Sequence, residues 1–401
     1  MSTASPMNPT LKKIQFPALL AGVAGLAICI VTLMRSSTPE ARTQFFVSYL
    51  FAYMFWIGIP LGCFSILMLQ HLTGGAWGLV MRRLLEGGTR MLPLMALFFI
   101  PLTFGMGDLY AWMHDQNLHG FKADWLTKDG FINRAIVYFA IWIVIAFFLN
   151  KWSKDQDRGD RPNSTRKLQF ISGPGLLIYG MTITGAAVDW VMTLDHHWYS
   201  TIYGMLFIVG QGLGTLAMMI VLVALLSQTR PLSEVVTTNH FNDLGNLLLA
   251  FVLLWAYVSF SQYLIIWSGN IAEETPYYAT RTLTNWKYIA LVLIILHFFV
   301  PFLLLVSRKT KRSIPMLVSV AVWIVLMRFV DLFWMIQPSV AIEGHGHQPG
   351  QLGHFHVHWL DIVAPIGIGG VWIAVYIWQI QRRPLVPPHD PRLLEVQHHH
   401  G

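Results

Sequence analysis

The chain reads as an all-α integral membrane protein of ten transmembrane helices. Three observations predict this. Of its 401 residues, 55% are hydrophobic and only 12% are charged, against about 25% charged in a soluble domain. The apolar residues gather into ten runs, each close to the ~20 residues that a helix needs to cross a ~30 Å hydrocarbon core. Lys and Arg are unevenly shared between alternate connections, which is how membrane proteins encode orientation.

The runs cover 14–34, 44–70, 91–113, 131–150, 168–193, 201–227, 243–267, 284–306, 314–337 and 359–381. The first follows Lys12 and Lys13, and the third follows Arg82, Arg83 and Arg90. The fourth runs into the basic stretch 151–167, the sixth ends before Arg230, and the eighth precedes Arg308–Arg312. The tenth stops at Arg382 and Arg383. Prolines at 60, 101, 174, 301 and 365 fall inside runs. Membrane helices accept them because neighbours re-satisfy the freed backbone groups. Nineteen of the 27 Lys and Arg lie on the side that holds both termini and seven on the other, with Arg328 inside a span. Both termini are therefore expected in the cytoplasm. The organisation is an N-terminal tail 1–13, a membrane domain 14–381 and a C-terminal tail 382–401. The start "MSTASPMNPTLKK" has no apolar core of the signal-peptide kind.

Several function classes are excluded by motif. Cys29 and Cys63 are too few to ligate an iron–sulfur cluster. There is no Cys-x-x-Cys-His for covalent haem, no Walker motif and no dinucleotide fingerprint. Only His297 lies deep inside a span, whereas bis-histidine haem needs pairs. The net charge of +7 flanks apolar runs, so it is a topology signal and no nucleic-acid partner is expected.

Ionisable side chains within spans are expensive, roughly 2.5–3.5 kcal/mol each on insertion scales, and so are functional candidates. Asp108 lies in "FGMGDLYAW", Asp189 in "GAAVDWVMTLDHHW", and His240 and Asp243 in "NHFNDLGN". His297 is in span eight, and Arg328 and Asp331 are in "LMRFVDLFW". Arg328 and Asp331 are i,i+3 and share a helix face, which favours an internal ion pair. These groups suit a proton path; equally they suit hydrogen bonds that anchor helices. Tyr257, Ser261 and Gln262 of "WAYVSFSQYLIIWSGN" form a mid-membrane polar seam, either interhelical glue or the lining of a cavity. Asp189, His196 and His197 form a candidate quinol-proton acceptor site near the outer face.

The connection before span ten, "GHGHQPGQLGHFHVHW", carries His345, His347, His354, His356 and His358. The His-x-His spacing is open to zinc or copper. Its many glycines and lack of cysteine count against a metal site, leaving a loop that contacts an extramembrane partner or simply lies wet, and no metal is assigned to the chain.

Four stretches together resemble one family: 189–211 ("DWVMTLDHHWYSTIYGMLFIVGQ"), 247–278, "RFVDLFW" at 328–334, and "RRPLVPPHDPRLLE" at 382–395. Over about residues 40–395 the chain is similar to the ActF family, the smaller of two related membrane subunits in bacterial alternative complex III. That complex is a quinol:cytochrome c oxidoreductase. The resemblance implies the fold of NrfD-like (polysulfide-reductase) membrane subunits. That is two four-helix bundles, spans two to five and six to nine, flanked by spans one and ten. It implies a place in the bacterial inner membrane and no cofactor in this chain. Haem c and iron–sulfur clusters would sit in partner subunits, with quinone, menaquinone included, in the complex. Partners would be the larger paralogous membrane subunit, expected to hold the quinol site, an iron–sulfur subunit, multihaem cytochromes c and a terminal oxidase. The chain would scaffold the complex and form a proton half-channel, without being catalytic alone. Two rival readings are an NrfD-like subunit that itself oxidises quinol and, from another class, a secondary transporter.

Overall fold

The computed structural model describes residues 9–159, 161–340 and 355–387. It is all-helical, with no strand among the described residues. Among the described residues, ten helices are long and apolar enough to cross a membrane. They are α1 Leu11–Arg35, α2 Pro39–Thr73, α3 Arg82–Phe104, α4 Lys128–Asp157 and α5 Asn163–Asp195. The second half comprises α6 Tyr203–Leu226, α7 Thr238–Gly269, α8 Trp286–Val306, α9 Ile314–Ser339 and α10 Leu360–Ile380.

Packing follows the expected plan. α2 packs on α3 and α5, and α4 packs on α5, which forms one bundle. α6 packs on α7 and α9, with α8 wedged between α7 and α9, which forms the second. The bundles meet where α6 lies against α2 and α5, and α1 and α10 pack together beside α2. α2 is the central post: of its most apolar stretch 83% is buried, against 17% for α1. At 35 residues it is about 52 Å long, so it projects beyond the hydrocarbon core. Aromatic rings carry much of the core. Phe329 of α9 packs against Phe51 and Phe55 of α2, and Trp190 of α5 meets Tyr53, Phe99, Phe139 and Trp142.

Helix boundaries differ from those expected. The chain is already helical from Pro9, inside the segment expected to be a tail. α3 begins nine residues early and ends at Phe104, while α4 continues to Asp157. Amphipathic and charged turns extend these helices past the apolar runs, because backbone hydrogen bonding does not stop at the lipid boundary.

α1 is held almost entirely by α10, and glycines make this possible. A Cβ on Gly22 would run into the backbone nitrogen of Val371, and one on Gly370 would run into the carbonyl oxygen of Ala18. Such small-residue faces let membrane helices approach backbone to backbone. Gly22→Leu is expected to detach α1 from α10. Disulfide trapping between cysteines placed at Ala18 and Val371 would then fail in membranes where the parent pair cross-links.

Candidate functional site

The densest buried polar group in the second bundle centres on α9. Arg328 and Asp331 are 5% and 4% exposed and form the ion pair that their spacing predicts. The indole Nε1 of Trp255 in α7 donates to Asp331 Oδ2 at 3.1 Å. The Trp255 ring meets the edge of His297 in α8, centroids 4.3 Å apart. His297 is 0% exposed, and neither of its ring nitrogens has a hydrogen-bond partner among the described residues. A buried polar group without a partner costs roughly 1–3 kcal/mol, so its retention calls for a reason.

Local sequence explains the geometry. Residues Leu293–Phe299 form a π-helical turn that contains His297. Pro301, one turn on, has no N–H to give back to this stretch, which favours a widened turn. The freed carbonyl of Leu296 accepts instead from Trp323 Nε1 of α9 at 2.7 Å. Opposite, α6 presents Gly210 and Gly214 beneath Arg328. A Cβ on Gly210 would collide with the guanidinium carbon, so only glycine leaves room for the arginine. Beside it lies a cavity of about 20 Å³, lined among others by Gly58, Gln211, Thr215 and Arg328. Its wall is mostly apolar, with Gln211, Thr215 and Arg328 as its polar members, and it has room for about one water. Gln211 Nε2 has no partner among the described residues, while its Oε1 accepts from Tyr179 of α5 at 2.8 Å. A polar series therefore runs from Tyr179 and Gln211, across the cavity, to Arg328, Asp331, Trp255 and His297.

The other expected positions divide. Asp189 is fully buried and its four acceptor sites are filled: by Trp125 Nε1 and Arg134 at Oδ1, and by Arg134 and Tyr138 at Oδ2, all at 2.9–3.0 Å. A carboxylate has about four lone-pair sites, so this one fastens α4 to α5 with no site left for a quinol proton. His196 turns away from it to Asp115 Oδ2 at 2.9 Å. Asp108 is outside the membrane span. It follows the end of α3 and is bidentate to Arg42 at the start of α2, with 20% of its side chain exposed. His240 closes the start of α7 as a capping box with Thr237, and Asp243 is exposed. The expected seam on α7 is also corrected. Tyr257 is 69% exposed, whereas Gln262 shares the inward stripe of Trp255, Val258 and Ile266. Spacing places Tyr257 and Ser261 on one face, but Tyr257 points out and Ser261 is only half-buried.

Of the histidine-rich connection, His345, His347 and His354 lie outside the described residues. His356 Nε2 meets Gln44 Oε1 at 2.9 Å, Gln44 donates to Ser48, and Ser48 donates to Asp361 Oδ1 at 2.6 Å. The His358 N–H and Gln337 also donate to Asp361. The end of this loop is thus fastened to α2, α9 and α10. Burial pushes the His358 imidazole below its ordinary range, and Asp361 partly offsets this. The unfolded chain then binds the extra proton, so this loop anchor is complete above about pH 6.5 and weakens as pH falls below it.

Two buried groups carry no signal in the sequence. Glu86 of α3, 0% exposed, meets Arg82, Arg83 and, at 3.5 Å, Arg383, with Ser153 donating to it. Arg83 also pairs with Asp157 of α4. Read from sequence, these arginines count only as topology charges. Arg281, in a short helix Thr275–Leu283, is 1% exposed. It donates to the carbonyls of Trp334 and Met335 and to Ser339 at the end of α9, and it lies 3.5 Å over the Tyr277 ring. A cation at a helix C-terminus complements the dipole.

Compared with known proteins, the chain matches no family model and no curated relative.

Proposed function

We propose that this chain is a membrane subunit, without a redox cofactor of its own, of a quinol-oxidising complex of the alternative complex III type. Its role is to scaffold the complex in the bacterial inner membrane, both termini cytoplasmic, and to supply part of a proton path. Haem c and iron–sulfur groups would be held by partner subunits. A paralogous membrane subunit would lie alongside, and electrons would leave through the cytochromes toward a terminal oxidase. The observation that carries the proton role is His297. It is the one side chain of the cluster that offers both a donor and an acceptor ring nitrogen, and it is fully buried with no hydrogen-bond partner on either nitrogen among the described residues. Asp331, fixed by Arg328 and Trp255, supplies the adjacent carboxylate. Trp255 donates only, so it orients Asp331, and transfer to His297 passes through water. The filled shell of Asp189 supports placing quinol chemistry on the paralogue, and the 19-to-7 split of basic residues supports the orientation.

The complex isolated in mild detergent is expected to contain multihaem cytochromes and an iron–sulfur subunit; recovery of this chain alone and colourless would sink the assembly reading. In liposomes, His297→Phe is expected to keep quinol oxidation and lower the protons moved per electron. An unchanged ratio in the assembled variant removes the proton role while leaving the scaffold role standing.

A further inference from the structure

At the end of the first bundle opposite the termini, two connections meet. One follows α3 and carries Asp115. The other leaves α5 and carries His196 and His197. One ligand atom from each of these three residues lies within 4.8 Å of the others. His196 Nε2 is 2.9 Å from Asp115 Oδ2, and the two imidazole centroids are 4.0 Å apart. We propose that Asp115, His196 and His197 form a binding site for a divalent transition ion of the zinc class, with a fourth position open to solvent.

The donor set is two imidazoles and one carboxylate, which suits zinc and leaves the open position that three-ligand sites keep. Bonds of about 2.0–2.1 Å in a tetrahedron place ligand atoms about 3.4 Å apart. The present hydrogen bond must therefore open slightly and the widest separation must close. His197 is exposed and can swing, while the other two ligands are already positioned. Asp115 Oδ1 accepts from the Asn117 N–H at 2.8 Å in an Asx turn, which turns Oδ2 toward His196. The carbonyl of His196 accepts from Lys122 Nζ at 3.2 Å, and Trp198 is stacked on Tyr277 with centroids 3.8 Å apart. The backbone on both sides of the histidine pair is thereby fixed. Among the described residues the cation facing the site is Lys122, whose Nζ is engaged by that carbonyl and lies 5.7 Å over the Tyr199 ring. Binding would clip the connection after α3 to the turn after α5.

The chain has other histidines able to bind zinc, so the test must resolve residues. The full chain in detergent is stripped with chelator and labelled with diethyl pyrocarbonate, with and without zinc, and each histidine is read by peptide mass spectrometry. Zinc is expected to slow labelling of His197 about tenfold or more, and Asp115→Asn is expected to remove that protection, as loss of a ligand does elsewhere. Equal labelling of His197 with and without zinc overturns the site. So does protection that survives in Asp115→Asn, since His197 would then be held elsewhere. Should Asp115→Asn fold poorly, His197→Ala replaces it: bound zinc is expected to fall by one ion per chain, and an unchanged stoichiometry overturns the proposal.

Discussion

Asp331→Leu alone is expected to lower stability by about 3–5 kcal/mol, because it leaves the Arg328 guanidinium buried and unpaired. Arg328→Met alone strands the carboxylate and is expected to cost a similar amount, partly offset by the Trp255 indole that still donates to it. The double variant Arg328→Met/Asp331→Leu is expected to be far milder than the sum, since removing both charges also removes the desolvation that the pair overcomes. Thermal unfolding of the purified proteins in one detergent, arranged as a double-mutant cycle, measures the coupling. Additive effects would mean that the two charges are each solvated separately, against the buried pair described above. The same double variant separates stability from function. If it assembles yet moves fewer protons, the pair has a role beyond holding α9 in place.

The second large effect is expected at Glu86. Glu86→Gln keeps the shape and removes the charge that faces Arg82, Arg83 and Arg383. Asp157 then remains as the acidic partner of Arg83, and the arginine cluster repels itself in a site from which water is excluded. About 3–5 kcal/mol of destabilisation is expected, read as a fall in unfolding midpoint and in the amount of chain recovered from membranes. Glu234→Gln breaks another pair at the same end, Arg230–Glu234, but one that is well exposed, and is expected to cost less than about 1 kcal/mol. Equal effects at the two sites would show that Glu86 is hydrated.

How much of this is legible in sequence depends on the distance over which residues cooperate. Span number and order follow from apolar runs, a local signal that the bilayer makes strong. Arg328 and Asp331 are readable as a pair because three residues of one helix separate them. The Arg134–Asp189 pair is not, since its members come from different helices and no spacing rule links them. Glu86 is hidden for another reason. It sits among arginines before the apolar run, so its surroundings read as a wet loop, whereas α3 begins earlier and buries that turn. Tyr257 shows the limit of periodicity: i,i+4 spacing tells which residues share a face, but not which way the face points. The Asp115–His196–His197 group is of the same kind as Arg134–Asp189, because its acid comes from one connection and its histidines from another.

The glycine contact between α1 and α10 bears on how the protein is made. α1 is made well before α10, yet the two pack together more closely than either does with any other helix. At 5–20 residues per second, the intervening ~330 residues take on the order of tens of seconds to synthesise. During that time α1 has little to bind except lipid or an insertion factor. Its outward residues, Phe16, Leu20, Val23 and Ile30 among them, are apolar enough for such a wait. The two bundles can form as their helices arrive; the α1–α10 seam closes only once α10 has been made.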